Sequence, residues 1–198
     1  MRYLLPVDCI DEGIGRLQIS HDEDAYLHAD FVEALTAAVE TLNADDKLHT
    51  VIVVGSKQYF SAGASRDSLT NANQEGMLPN YIAEVPRLLL SIRVPTIACM
   101  TGHAIGGGLA IALWCDFCFL SLESLYGANF MAIGFTPGMG STIALEDAFG
   151  VRTAREMILT GKLYKGRTLK ERGCPIADCI VARAEIEDRC RALADELL

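Results

Sequence analysis

Two short runs of small residues carry the chemistry open to this sequence. One is Gly106-Gly107-Gly108, which follows the apolar run Pro95 to Met100 and the turn Thr101-Gly102-His103, and precedes the apolar segment Leu109 to Trp114. The other is Ala62-Gly63-Ala64, which follows Tyr59-Phe60-Ser61. Glycine is a poor opening for a helix, each one costing about 1 kcal/mol against alanine, so a triplet there calls for a reason. It permits close approach to the backbone, and a helix beginning there leaves N–H groups without acceptors at the positive end of its dipole. Such groups suit a carbonyl oxygen that becomes negative during a reaction, the task of an oxyanion hole. The competing reading is packing alone, with the glycines letting a helix lie tight against a sheet. A dinucleotide turn fits less well, because the spacing is not G-x-G-x-x-G and the triplet lies far from the N-terminus.

Seven cysteines, an odd number, stand mostly in apolar surroundings. That is the usage of reduced thiols and leads to the expectation of a cytoplasmic protein. Cys115-Asp116-Phe117-Cys118 has the spacing of half a zinc site, but no second ligand pair accompanies it. Alternation along a strand accounts for it, and no metal is expected. Asp116 is expected to anchor backbone at a sheet edge, since a buried carboxylate needs fixed partners. His21 and His28 belong to a polar turn and are read as solvated.

These residues have to be held by alternating strands and helices. Leu4–Ile10 and Ile14–Ile19 flank Asp11-Glu12-Gly13, a hairpin signal. After the polar run His21 to Asp24, the spacing of Phe31, Leu35, Ala38, Val39 and Leu42 predicts a helix over 30–43 with Asp30 as its cap. Thr50–Val54 and Pro95–Met100 read as buried strands, and Ser65 to Asn80 as a mobile loop or broken helix. Further helices are expected over 81–92, 142–149, 152–160 and 165–172, with Gly150 and Gly161 as stops. Strands are expected at Phe117–Ser121 and Leu125–Tyr126, with Ile176–Val181 extended. Ile186, Cys190, Leu193, Ala194 and Leu197 then share one face of a last helix.

A chain of 198 residues can bury one sizeable core. Its 51% hydrophobic content and mean hydropathy of +0.24 are rich for a free monomer, which an oligomer interface or a missing covering segment would explain. Net charge of −9 and a pI of about 4.9 argue against nucleic acid or an anionic membrane as partner. The opening Met1 to Pro6 lacks the long apolar core of a signal peptide, and the Cys99–Trp114 region is too interrupted to span a membrane. Residues 1–181 are read as a core, and 182–198 as the start of a C-terminal helical region cut short.

Four segments together resemble the crotonase (enoyl-CoA hydratase/isomerase) superfamily: Phe60-Ser61-Ala62-Gly63-Ala64, Gly102-His103-Ala104-Ile105-Gly106-Gly107-Gly108, Cys115-Asp116, and Gly134-Phe135-Thr136-Pro137-Gly138-Met139-Gly140. The resemblance implies an α/β fold of stacked ββα units arranged as a spiral, with helices outside and a shortened C-terminal helical region, assembling as trimers. It implies that the N–H groups of Ala64 and Gly107 hold the oxygen of a thioester as it becomes an enolate. Ala62 and Gly106 would border the same substrate site.

The departures from that pattern narrow the expectation. Hydratases place glutamates where this chain has Ala110 and Phe130. Those two carboxylates activate the water that adds across the double bond, so without them hydration has no base. The run Tyr126 to Gly140 resembles one subgroup, the decarboxylating crotonases of polyketide β-branching cassettes. That likeness implies a 3-methylglutaconyl-type thioester on the phosphopantetheine of an acyl carrier protein, or on CoA, which loses CO₂ to give a 3-methylcrotonyl-type product. No further cofactor is implied. Loss of CO₂ leaves a dienolate, which an oxyanion hole stabilises without a water-activating acid. Phe130, Met131, Phe135 and Met139 would form an apolar pocket around it.

His103 is a catalytic candidate because it stands just ahead of the glycines, three residues before Gly106, although its ring could instead brace the turn. Asn129 could bond a substrate carboxylate or its own loop, and Tyr59 and Tyr81 are candidate proton donors. The subgroup also carries a lysine in the loop after the first turn and a histidine near its C-terminus. No lysine lies between Lys57 and Lys162 here, and Arg66 is the nearby cation that could orient a carboxylate. Two alternatives stay open: a double-bond isomerase or other enolate-forming enzyme, and a non-catalytic assembly subunit of a synthase.

Overall fold

A computed structural model of the chain describes residues 4–21, 25–76 and 78–197, with residues 78–81 by backbone alone. In chain order the strands are β1 (Val7–Asp11), β2 (Ile14–Gln18), β3 (Thr50–Val54), β4 (Tyr59–Ser61), β5 (Thr96–Met100), β6 (His103–Ile105), β7 (Phe117–Ser121), β8 (Leu125–Gly127), β9 (Tyr164–Lys165) and β10 (Ile180–Val181). The helices are α1 (Phe31–Asn43), α2 (Arg66–Gln74), α3 (Leu78–Leu90), α4 (Gly107–Leu113), α5 (Ser141–Phe149), α6 (Val151–Thr160), α7 (Gly166–Glu171) and α8 (Ile186–Glu196).

Two sheets share the strands in alternation. The larger has the order β1-β2-β3-β5-β7-β10, and the smaller β4-β6-β8-β9. β1 and β2 form the expected antiparallel hairpin, and β2, β3, β5, β7 and β10 run parallel. Each of β3, β5 and β7 is followed by a short strand of the second sheet and then by helix, which is the ββα repeat of a spiral.

Parallel strands covered on both faces read as near-continuous apolar runs, and β3 and β5 do so. Their alternate residues divide between two cores. Val51, Val53, Ala98 and Met100 join the main cluster with α1 and α4, while Ile52, Ile97 and Cys99 face Ile186, Cys190 and Ala194 of α8. Asp116 latches the starts of β5 and β7: its Oδ2 accepts from Thr96 N and Thr96 Oγ1, both at 2.8 Å. It does so from an exposed position rather than a buried one.

Several local expectations are corrected. Asp30 precedes α1 but its side chain makes no capping bond. Of the two readings of the stretch after Ala64, the broken helix holds and the loop does not: Ser65 Oγ accepts the Ser68 N–H at 3.1 Å and caps α2, and a turn at 75–76 separates α2 from α3. His103 starts a strand instead of closing a turn. Ile176–Val181 is extended only at β10, and a 3₁₀ turn occupies Ala177–Cys179.

Candidate active site

The second sheet brings the two small-residue turns together. β4 and β6 are parallel neighbours in the register Tyr59↔His103, so the chain leaves both at the same edge. There the backbones touch. A Cβ on Gly63 would lie 2.7 Å from Ile105 O and 3.0 Å from Gly107 N. One on Gly108 would strike the Ser61 main chain. Close packing of the two backbones therefore accounts for the glycines at 63 and 108.

Their N–H groups divide into spent and unspent. Ala62 N donates to Ala25 O at 2.8 Å, Gly63 N to Ser61 Oγ at 3.2 Å, and Gly106 N to Gly127 O at 2.8 Å. Among the described residues, neither Ala64 N nor Gly107 N has a protein acceptor. Both residues border a single cleft of about 70 Å³, together with Ala62 and Gly106.

The cleft is apolar. Leu27, Ile82, Phe130, Phe135 and Met139 form its walls, and none of its described lining residues is ionisable. Asn129 and Thr136 are its polar side chains. Asn129 is half-buried, its Oδ1 lies 2.9 Å from where a Gly106 Cβ would stand, and its amide bonds no described residue. Met139 is the one non-glycine among the described residues with a positive φ, at 57°. Such strain gathers where the surrounding structure over-determines a position.

Four candidates lie elsewhere. His103 does not line the cleft. As a residue of β6 it falls in register with Tyr59, whose ring it meets edge-on at 5.1 Å, and its Nδ1 accepts the Leu125 N–H at 3.0 Å. It therefore braces β6 against β8, and its neutral ring carries the proton on Nε2. Burial, then Arg183, holds its pKa below the usual imidazole value. Tyr59 is engaged with it outside the cleft. Arg66 opens α2 at an exposed position, and Met131 is 45% exposed. Tyr81 lies outside the described side chains.

Leu27 and Ile82 gave no local sign in the sequence. Leu27 is carried in by its N–H, which donates to Gly63 O at 2.9 Å, and Ile82 by the packing of α3 on Gly138. Away from the cleft, burial pushes the Cys115 thiol up to about 12 and the Cys118 thiol higher. Among the described residues no three potential metal ligands gather.

Comparison with known proteins adds to this geometry. The family profile described as enoyl-CoA hydratase/isomerase matches residues 10–198. The chain is 37% identical over 194 residues to bacillaene synthase decarboxylase PksI of Bacillus subtilis, covering 96% of this chain and 77% of that one. A putative enoyl-CoA hydratase of Thermus thermophilus is 31% identical over 169 residues, covering 83% and 66%. Among solved structures, the ECH2 decarboxylase domain of CurF from Lyngbya majuscula superposes with a TM-score of 0.85 at 30% identity, over 98% of this chain and 78% of that one. A dehydratase/decarboxylase enzyme couple of polyketide β-branching gives 0.88 at 33% identity, over 98% and 79%.

Proposed function

Because this chain belongs to the enoyl-CoA hydratase/isomerase family, we propose that it decarboxylates a 3-methylglutaconyl-type thioester on an acyl carrier protein, in polyketide β-branching. The observation that carries the reading is the pair of unspent N–H groups facing an apolar cleft whose described lining has no ionisable side chain. The names of PksI and the CurF domain, both decarboxylases, support it.

In this reading the thioester oxygen sits between Ala64 N–H and Gly107 N–H. The bond from carbon to the carboxylate breaks and CO₂ leaves. Its electron pair moves through the double bond to the thioester oxygen, giving a dienolate that the two donors stabilise. A proton from water then returns to carbon. No cofactor is called for, because the thioester itself takes up the electrons. The Asn129 amide donates to the carboxylate before it leaves, while Phe130 and Phe135 keep its surroundings apolar. Ala110 and Phe130, standing where the resemblance places the hydratase glutamates, leave water addition without a base. A carrier-protein partner, a homotrimer and a cytoplasmic setting complete the proposal.

Mass analysis after incubation with 3-methylglutaconyl-carrier tests it, with a loss of about 44 Da, one CO₂, as the expected result. Unchanged mass with a moved double bond would make the protein an isomerase. Unaltered substrate that stays bound to it would make it an assembly subunit.

A further inference from the structure

The short helix α4 has Gly107 at its first residue and the chain's one tryptophan, Trp114, at its C-cap. Trp114 reaches back to the cleft. Its Nε1–H donates to Met139 O at 2.6 Å, and its ring lies against Gly140, where a Cβ would stand 2.5 Å from Cζ2. Met139 and Gly140 are consecutive left-handed residues, with φ of 57° and 63°. Glycine takes that conformation freely, whereas a methionine there is strained. The strain has a geometric return. Met139 is buried, lines the cleft, and places Sδ 3.5 Å from where a Gly107 Cβ would be. Helix, indole, carbonyl and thioether thus close a ring that begins and ends at Gly107.

We propose that Trp114 is a positioning residue: its indole N–H holds Met139 left-handed, so that the Met139 side chain forms the wall beside the Gly107 donor and sets where a thioester can sit. Without that hydrogen bond the Met139 carbonyl loses its donor, and the backbone is free to relax toward negative φ. Relaxation turns the side chain away from Gly107 and leaves the donor facing a wider space. Trp114→Phe removes the donor while keeping an aromatic ring against Gly140. Met139→Gly removes the strain that the hook restrains.

The inference rests on the proposed function only in supposing that a thioester is the ligand, and its test reads binding, not turnover. A protein labelled with ¹⁵N has one indole N–H resonance, and titration with 3-methylcrotonyl-pantetheine is expected to move it. Trp114→Phe is expected to weaken binding of that thioester by about tenfold at a nearly unchanged Tm. In the Met139→Gly background, where no strained conformation needs holding, the same substitution is expected to cost less than about twofold. An indole resonance that stays still, or an equal loss in both backgrounds, overturns the proposal; an equal loss is what mere support of the fold would produce. A wild-type protein that binds the thioester with this coupling but releases no CO₂ from the glutaconyl form overturns the decarboxylase reading and leaves the role of Trp114 standing.

Discussion

At the scale of single residues, the site depends on main-chain atoms that no side-chain substitution removes, except one. Proline has no N–H, so Ala64→Pro deletes one donor of the pair. Loss of an oxyanion-hole donor typically costs about 10²- to 10³-fold in kcat, and a fall of that order with circular dichroism unchanged is the expected outcome. Turnover at the wild-type rate in a folded Ala64→Pro protein would remove that N–H from the mechanism. Asn129 offers a second, separable test. Its amide borders the cleft and bonds no described residue, and hydrogen bonds to charged groups are worth about 1.5–3 kcal/mol. Asn129→Leu is therefore expected to weaken binding of the carboxylated thioester about tenfold or more and to leave the decarboxylated one nearly as it was, by competition titration. Equal effects on both would mean that the amide serves its own loop.

At the scale of elements, the two turns are placed by β4 and β6, and their contact can be forced apart. A methyl group on Gly108 meets the Ser61 main chain, so Gly108→Ala pushes α4 away from β4. Overpacking of this kind costs about 1–3 kcal/mol, and both a lowered Tm and a loss of thioester binding are expected. Retained binding at a lowered Tm would show that the turns tolerate separation. Much of this frame was legible in advance. β3 and β5 announce themselves through near-continuous apolar runs and α1 through an i, i+4 stripe, long enough for periodicity to speak. β6 did not, because three residues between a turn and a glycine triplet hold less than one useful period. α2 has no buried residue and Leu69 is its one large apolar side chain, so no periodicity marked it. The two small-residue turns could be read from composition, since small residues are needed where backbones touch, whereas Ala64 and Gly107 as the paired N–H groups were implied only by the family resemblance. Leu27 and Ile82 could not, because they reach the cleft from other elements, and neither could the bond from Trp114 to Met139 O, which only the tertiary fold brings about.

At the scale of the whole molecule, acid is expected to act where the segment after β10 is pinned to the turn between β7 and β8. Glu123 Oε2 accepts from Ser121 Oγ at 2.7 Å and from Arg183 N at 3.0 Å, and Arg183 Nη2 donates to Ser124 Oγ at 3.1 Å. The Ser121 hydroxyl and the Arg183 N–H hold the Glu123 carboxyl below its usual range, and His103 beside them is also depressed. Both shifts have the same sign in stability: each group binds a proton more readily in the unfolded chain. The His103 contribution is full above its ordinary value of 6.5 and is lost as pH falls through its lower folded value. The Glu123 contribution is full above 4.5 and goes in the same way further down. Urea titrations between pH 7.5 and 5 are expected to show stability falling, and His103→Gln, whose amide oxygen can still accept the Leu125 N–H, is expected to flatten that slope. An unchanged slope would locate the acid sensitivity elsewhere. Among the described residues no helix is long and apolar enough to cross a membrane.

Successive layers of the spiral each hand one segment to the cleft: Ala62 to Ala64 after β4, Gly106 and Gly107 after β6, Asn129 and Phe130 after β8. The spacing among these three segments is thus inherited from the pitch at which strands stack, about 4.8 Å per step. The side chains of Asn129 and Phe130 can be exchanged without touching that spacing, whereas a Cβ on Gly63 or Gly108 would strike backbone and disturb it. A scaffold of this build can therefore vary the side chains that border its cleft without re-spacing the segments that carry them.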